Sequence, residues 1–246
     1  QIIRTGWCKS VHVKSEASHE ARSLLATRSQ FVQIRCDLEN QIRGTLRTFG
    51  ILFGKRVGGF AKRAEEIIRG ELDASPTIRA VIESLMKARE GILEQIRTLD
   101  AQVRSIGRHN PTVRHLMSVP GVGVITALGF VATIDDPARF RKSSSAGAYL
   151  GLTPRIYASG ETSRSGRVSK RGDDFLRRSL FEAANALLTR VPTFSTLKSW
   201  GLRIARRGGF RKAKVAVARK LAVILHAMWV SGEPFRWSAK EDGQPA

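Results

Sequence analysis

Two long runs of apolar residues, recurring every three or four positions, constrain this chain more than any other feature. From Ser15 to about Phe49 they fall at Ala17, Ala21, Leu24, Phe31, Leu38, Ile42, Leu46 and Phe49, with charged residues between them. After Pro76 they fall at Ile78, Ile82, Leu85, Ile92, Ile96, Leu99, Val103 and Ile106, close to heptad spacing over about four heptads. Such spacing puts each set along one stripe of a helix, so each run is a long amphipathic helix. The Gly/Lys/Arg-rich stretch 54–75 joins them and is itself partly helical, which folds the pair into an antiparallel hairpin. A stripe of this length takes a partner in a second chain, or it is an ordinary internal core. Periodicity alone leaves both open.

Residues 111–134 change character. Pro111 opens a short helix, Val119-Pro120-Gly121-Val122-Gly123 makes a tight turn, and Val124–Ile134 is an apolar helix, the pattern of a helix-hairpin-helix. Gly121 and Gly123 let a backbone come close to phosphate, and the N–H groups opening the next helix are ready donors. Turns of the same composition also join buried helices without any ligand. Downstream, Ser143-Ser144-Ser145 turns into a short helix, Ala146–Leu150. The stretch from Arg155 to Gly172 is small, polar and basic, so it is a loop or hairpin held on the surface. Asp173 or Asp174 then caps a helix that turns Phe175, Leu176, Leu180, Ala183, Ala184 and Leu187 inward. A last helix, about Lys212–Ser231, buries Val215, Leu221, Leu225 and Met228 and shows Arg211, Lys212, Lys214, Arg219 and Lys220; the tail after it is polar and loose.

Charge names the partner class. The 246 residues carry a formal +21, and 137–232 holds +16 of it, twenty Lys and Arg against four Asp and Glu. A surface that basic repels itself unless phosphates neutralise it, so the partner is a nucleic acid. An RNA-coating protein would look the same by charge alone. Cys8 and Cys36 stand in no metal-ligand spacing, and no run of about 18 apolar residues suggests a membrane span. A reducing cytosol fits. The opening at Gln1 reads like the middle of a longer chain.

Cutting or joining a phosphodiester needs a nucleophile and donors for the charge that builds on phosphorus. Ser159 precedes Gly160, which lets backbone approach closely, and Arg155, Arg164, Arg167, Lys170 and Arg171 lie within a dozen residues. Those cations would stabilise attack by an otherwise weak hydroxyl nucleophile. A loop that merely grips phosphate has the same composition.

The run Val119–Gly123, followed by Thr126-Ala127, Phe140, Ala146, Leu150–Pro154, Ser159-Gly160, Gly166, Ser169–Gly172, Leu176-Arg177 and Ala183-Ala184, resembles the transposase domain of the Piv-like insertion-sequence recombinases. These are DEDD-type enzymes guided by a bridge RNA. Upstream, Ile3–Trp7 and Val11–Ser15 look like the segment after that family's RuvC-like domain, and the two long helices like its coiled coil. The resemblance implies a mainly α fold: a coiled-coil helical hairpin at 15–110, a transposase domain with a helix-hairpin-helix at 111–232, a remnant at 1–14 and a loose tail at 233–246. It makes Ser159 the nucleophile and puts Gly121, Gly123, Arg155, Gly160, Arg164, Arg167, Lys170, Arg171 and Arg177 on DNA phosphate. DNA and a guide RNA become partners, a second copy joins through the coiled coil, and the setting is the bacterial cytoplasm around the nucleoid.

The family's metal-binding acids belong to the RuvC-like domain, so Mg is expected there, with no metal site or cofactor in this chain and no activity from it alone. Asp135-Asp136 and Asp173-Asp174 read as turn and helix-cap features. His109, His115 and His226 read as surface or satisfied helix residues, and Trp200, Trp229 and Trp237 as packing anchors. The competing function is a non-catalytic helix-hairpin-helix binder of DNA or RNA, a degenerate transposon remnant. It differs from the enzyme in making Ser159 dispensable.

Overall fold

The computed structural model describes residues 11–53 and 59–238. The Ile3–Trp7 motif and Cys8 lie outside them. Among the described residues the protein is mainly helical, with nine α-helices, a short 3-10 turn and one two-stranded sheet. Two compact units appear: residues 11–23 with 103–238, and residues 24–102. The helical hairpin expected over 15–110 is therefore longer than the unit at its centre.

The 24–102 unit is built from most of α1 (Glu16–Thr48), from α2 (Phe60–Ile68) and from most of α3 (Pro76–His109). Local chemistry sets the start of α3. Pro76 takes the first helical position and the Ser75 hydroxyl accepts from Ile78 N at 3.3 Å. Ion pairs Arg28–Asp100 at 2.5 Å and Arg89–Glu39 at 2.9 Å join the two long helices. Moving up α1 moves down α3, so the hairpin is antiparallel as its stripes required. Ile42, Leu46, Ala64, Ile67, Ile82 and Met86 form a buried cluster near the closed end. The Arg43 and Arg89 guanidinium groups both lie over the Phe60 ring, 4.7 and 5.2 Å from its centre. The α1 stripe is shifted from its expected course: Ala17 and Phe49 are exposed, while Leu25 is buried.

The other unit centres on α9 (Phe210–Ser231). Its Ala213, Val217, Ala218, Leu221, Ala222 and Leu225 are fully buried, and it packs on α4 (Pro111–Leu116), α6 (Ser144–Tyr149), α7 (Asp174–Thr189) and α8 (Thr196–Gly208). Val215 is only half-buried, because the small residues Ala213 and Ala218 take the inner face. Helix α5 (Val124–Ile134) packs on α7 and buries Phe130 completely. Helix α8 was not legible as a separate element; Ser195 starts it by accepting from Lys198 N at 3.1 Å.

Residues 233–238 are not a loose tail. Phe235 is buried and stacks edge-on against Trp237, whose carbonyl accepts from Thr196 N at 2.9 Å. Two aromatic rings that can be covered outweigh the polar residues around them.

The segment before α1 is held on the C-terminal end of α5. Asp135 ends that helix at φ +67° and accepts from Ser15 N and Oγ, Ser18 Oγ and His12 Nε2. Lys14 Nζ donates to the Ala132 and Thr133 carbonyls, where a cation favours the helix end. Burial pushes the Asp135 carboxyl up, but hydrogen bonds from Ser15, Ser18 and His12 outweigh it and hold it well below the ordinary carboxylate range.

Candidate active site

The Arg155–Gly172 stretch is a β-hairpin. β1 (Pro154–Ser159) and β2 (Thr162–Val168) pair antiparallel, with Ser159 opposite Thr162 and Tyr157 opposite Arg164. Gly160 has φ +56° at the first position of a two-residue turn, which suits a tight hairpin where an L side chain would be strained. Ser159 is the last strand residue before that turn, and it is exposed.

Strand alternation sorts the hairpin into two faces. Tyr157, Ser159, Thr162 and Arg164 share one; Ile156, Ala158 and Ser163 share the other. Gly166 belongs to the first, since a Cβ on it would lie 2.7 Å from the Tyr157 ring. A bulge between Pro154 and Ile156 in the pairing twists the open end. Ser159 therefore stands beside Arg164 and a tyrosine ring, while Ser163 points the opposite way.

The base of the hairpin is rigidly attached. Ser169 N donates to Thr153 O at 2.8 Å and Lys170 N to Gly151 O at 3.1 Å. Backbones meet so closely there that a Cβ on Gly151 would fall 1.9 Å from Arg171 O, and one on Gly172 would fall 2.2 Å from Tyr149 O. Arg155 donates to Ser169 O at 3.3 Å across the base. Arg177 is turned inward: its guanidinium donates to Leu150 O and to Asp174. Arg164, Arg167, Lys170 and Arg171 are exposed and form no ion pair among the described residues.

The helix-hairpin-helix pattern lies in α4, the turn and α5. Val122 N donates to Val119 O at 3.0 Å, with Pro120 and Gly121 at the turn's centre and Gly121 at φ +86°. The side of Gly121 that a Cβ would occupy is filled by α7, with Ala183 O 2.5 Å away. Gly123 is exposed with nothing near its missing side chain, and no side chain caps α5. Beside it runs a groove of about 860 Å³ lined by Arg104, Arg108, Arg114, Met117 and Val124. Motif and spacing do not single these arginines out. The signal was available, since no Asp or Glu occurs from Ala101 to Ile134.

Four aspartates of this unit have structural work. Asp135 anchors the residues before and within the start of α1. Asp136 caps the 3-10 turn Pro137–Arg139, Asp173 caps α7 and pairs with Arg22 at 2.7 Å, and Asp174 pairs with Arg177 and Arg178. No group of three His, Cys, Asp or Glu able to hold a metal occurs among the described residues. His226 is buried and satisfied: its Nε2–H donates to Pro137 O, leaving Nδ1 to accept from Ser143 Oγ. His109 bonds Ser105 O; His115 instead has its Nε2 buried without a partner. No helix of the described residues is long and apolar enough to cross a membrane.

Residues 113–199 match the family described as Transposase IS116/IS110/IS902. The chain is 30% identical to the transposase for insertion sequence element IS1111A of Coxiella burnetii, over 93% of this chain and 64% of that protein. It is 31% identical to a probable family 20 transposase of Pseudomonas aeruginosa, over 89% of this chain and 65% of that one. A pilin gene-inverting protein of Moraxella bovis is 26% identical over 58% of this chain and 45% of its own length. The chain thus spans somewhat under two thirds of the two transposases it matches.

Proposed function

We propose, from the match of residues 113–199 to the IS116/IS110/IS902 transposase family, that this chain binds DNA and supplies the serine nucleophile of a strand-exchanging transposase. The observation carrying this reading is the place of Ser159: at the tip of an exposed basic hairpin, on one face with Arg164, above a base fixed by close backbone contact.

The chemistry is transesterification. Ser159 Oγ attacks a backbone phosphorus and forms a phosphoserine ester, while one phosphorus–oxygen bond of the strand breaks. The serine proton ends on the departing sugar oxygen. A second strand's hydroxyl then attacks the phosphoserine, joins to phosphorus and returns the proton to Ser159. Ester is exchanged for ester, so no external energy source is needed. Arg164 and the other free cations of the hairpin hold the phosphate and its developing charge. The acids of the described residues are not gathered into any group able to hold a metal, and no step here passes through one. In this reading Mg belongs to the DEDD-type RuvC-like domain of the bridge-RNA-guided family.

The partners follow from the same reading: DNA, a guide RNA, and a second copy of the chain. Leu24, Phe31, Leu38, Leu85, Ile92 and Leu99 are only half-buried along the helical hairpin, leaving apolar surface that a second coiled coil would cover.

The test is a covalent protein–DNA adduct, trapped on a cleaved substrate with the chain joined to the upstream domain and mapped by peptide sequencing. The adduct should sit on residue 159, vanish in Ser159→Ala and persist in Ser163→Ala, whose hydroxyl lies on the opposite face. An adduct that survives Ser159→Ala would overturn the assignment. A chain that binds DNA but forms no adduct at all is the non-catalytic binder.

A further inference from the structure

Helix α8 carries a feature the strand-exchange chemistry does not use. Residues before a helix commonly staple it, a hydrophobic side chain at the position before the cap packing on the fourth helical residue. Here the cap is Ser195, so the stapling position is Phe194 and its partner position is Ser199, too small and polar to receive it. Phe194 is left 67% exposed. It lies in a groove of about 230 Å³ with Pro192, Ser199, Leu202, Arg203 and Arg206. Ser199, Leu202, Arg203 and Arg206 are spaced three and four apart, so they share one face of α8.

The charge around this groove has one sign. No Asp or Glu occurs from Ala183 to Gly232, and neither Arg203 nor Arg206 has an ion pair among the described residues. An exposed ring beside two free guanidinium groups matches a nucleotide whose base is not paired: the ring takes the base face and the arginines its phosphates. A duplex keeps its base faces stacked inside and offers none to a ring. Pro192 and Leu202 add apolar wall for a sugar, Lys198 of the lining is spent on the Val191 carbonyl, and the comparison of oligo-dT with oligo-U decides whether the sugar is deoxyribose.

We infer that the Phe194–Arg206 groove is a single-stranded DNA site, seating one unpaired base on Phe194 and its backbone on Arg203 and Arg206. Strand exchange is the step that frees such a strand, so the inference rests on the function proposed above for the origin of its ligand, though not for its binding.

The experiment uses the 246-residue chain and three fluorescent probes of equal length: oligo-dT, oligo-U and a DNA duplex. Phe194→Ala should weaken oligo-dT about tenfold, within the range of one lost base–aromatic stack, and leave the duplex within about twofold. Phe194→Trp should restore oligo-dT binding. Arg203→Ala with Arg206→Ala should make the slope of log K against log[salt] shallower by about 1.4, as for two lost single-strand contacts. Unchanged oligo-dT affinity in Phe194→Ala overturns the site. So does an equal loss on the duplex, or tighter Phe194-dependent binding of oligo-U, which would make the occupant RNA. The adduct assay on the unsubstituted protein separates the two proposals: full Phe194-dependent oligo-dT binding with no serine adduct upholds this groove while sinking the nucleophile.

Discussion

The 24–102 unit and the 137–232 segment both carry many cations and use them in opposite ways. In the helical hairpin, six cations are answered by acids within the fold: Arg28 by Asp100, Arg43 and Arg89 by Glu39, Arg63 by Glu66, Arg69 by Glu65, Lys87 by Glu83. In 137–232 Asp173 and Asp174, two of the four acids, are taken by a helix cap and by Arg22, Arg177 and Arg178, and the other Lys and Arg side chains of the segment form no ion pair among the described residues. Charge that is neutralised internally supports a structure; charge left open waits for an external anion. Net charge alone could not separate the two, because it sums over both.

The comparison breaks most visibly in the hairpin core. Ile82→Ala removes a fully buried side chain from the cluster shared by all three helices of that unit, and should cost about 2–5 kcal/mol. Thermal or urea unfolding should register it, while DNA affinity measured where the protein is still folded stays unchanged. A fall in affinity of the folded variant would show that the hairpin belongs to the binding surface.

Next in size is Asp135→Ala, which orphans Ser15, Ser18 and His12 together and should cost about 1–3 kcal/mol. Its pH dependence has a definite sign. The folded carboxyl titrates below its unfolded value, so its contribution is complete above the unfolded value, about 4, and fades as pH falls beneath that. The stability gap between wild type and Asp135→Asn should therefore close on acidification below about pH 4. A gap that widens there would mean the carboxylate is not the stabilised form.

Paired and unpaired cations should then part company under salt. Arg164→Ala with Arg167→Ala should leave stability within about 0.5 kcal/mol and make the duplex salt slope shallower by roughly 1.8. Arg89→Ala, which strips Glu39 of a half-buried partner, should do the reverse, lowering stability by about 1–3 kcal/mol with no change in slope. Equal slopes in the two variants would erase the distinction.

The smallest expected effect is on assembly. Leu99→Lys puts a charge on a half-buried position of the hairpin stripe and should shift sedimentation from dimer to monomer with the fold retained. An unchanged mass for the folded variant would make the stripe an internal core only.

What the sequence determined by itself is whatever neighbours within one or two turns encode. Periodicity located both long helices. Ser75-Pro76, Asn110-Pro111 and Asp173 started three helices, because a cap needs only a side chain and a backbone N–H a few residues apart. Low apolar content put 155–172 on the surface, while the placing of Ser159 at a two-residue turn came from the strand pairing. Tertiary structure alone decided what depends on residues far apart in the chain. It joined Asp135 to Ser15, some 120 positions away, and filled the space at Gly121 with α7 rather than leaving it open. It seated Gly151 and Gly172 where backbones touch, and packed Phe235 against Trp237 in 233–238, the described part of a tail that composition alone called loose. Whether a glycine serves a turn, a neighbour or a ligand, and whether an arginine finds an acid, depends on what lies opposite it in space. One-dimensional spacing does not carry that information.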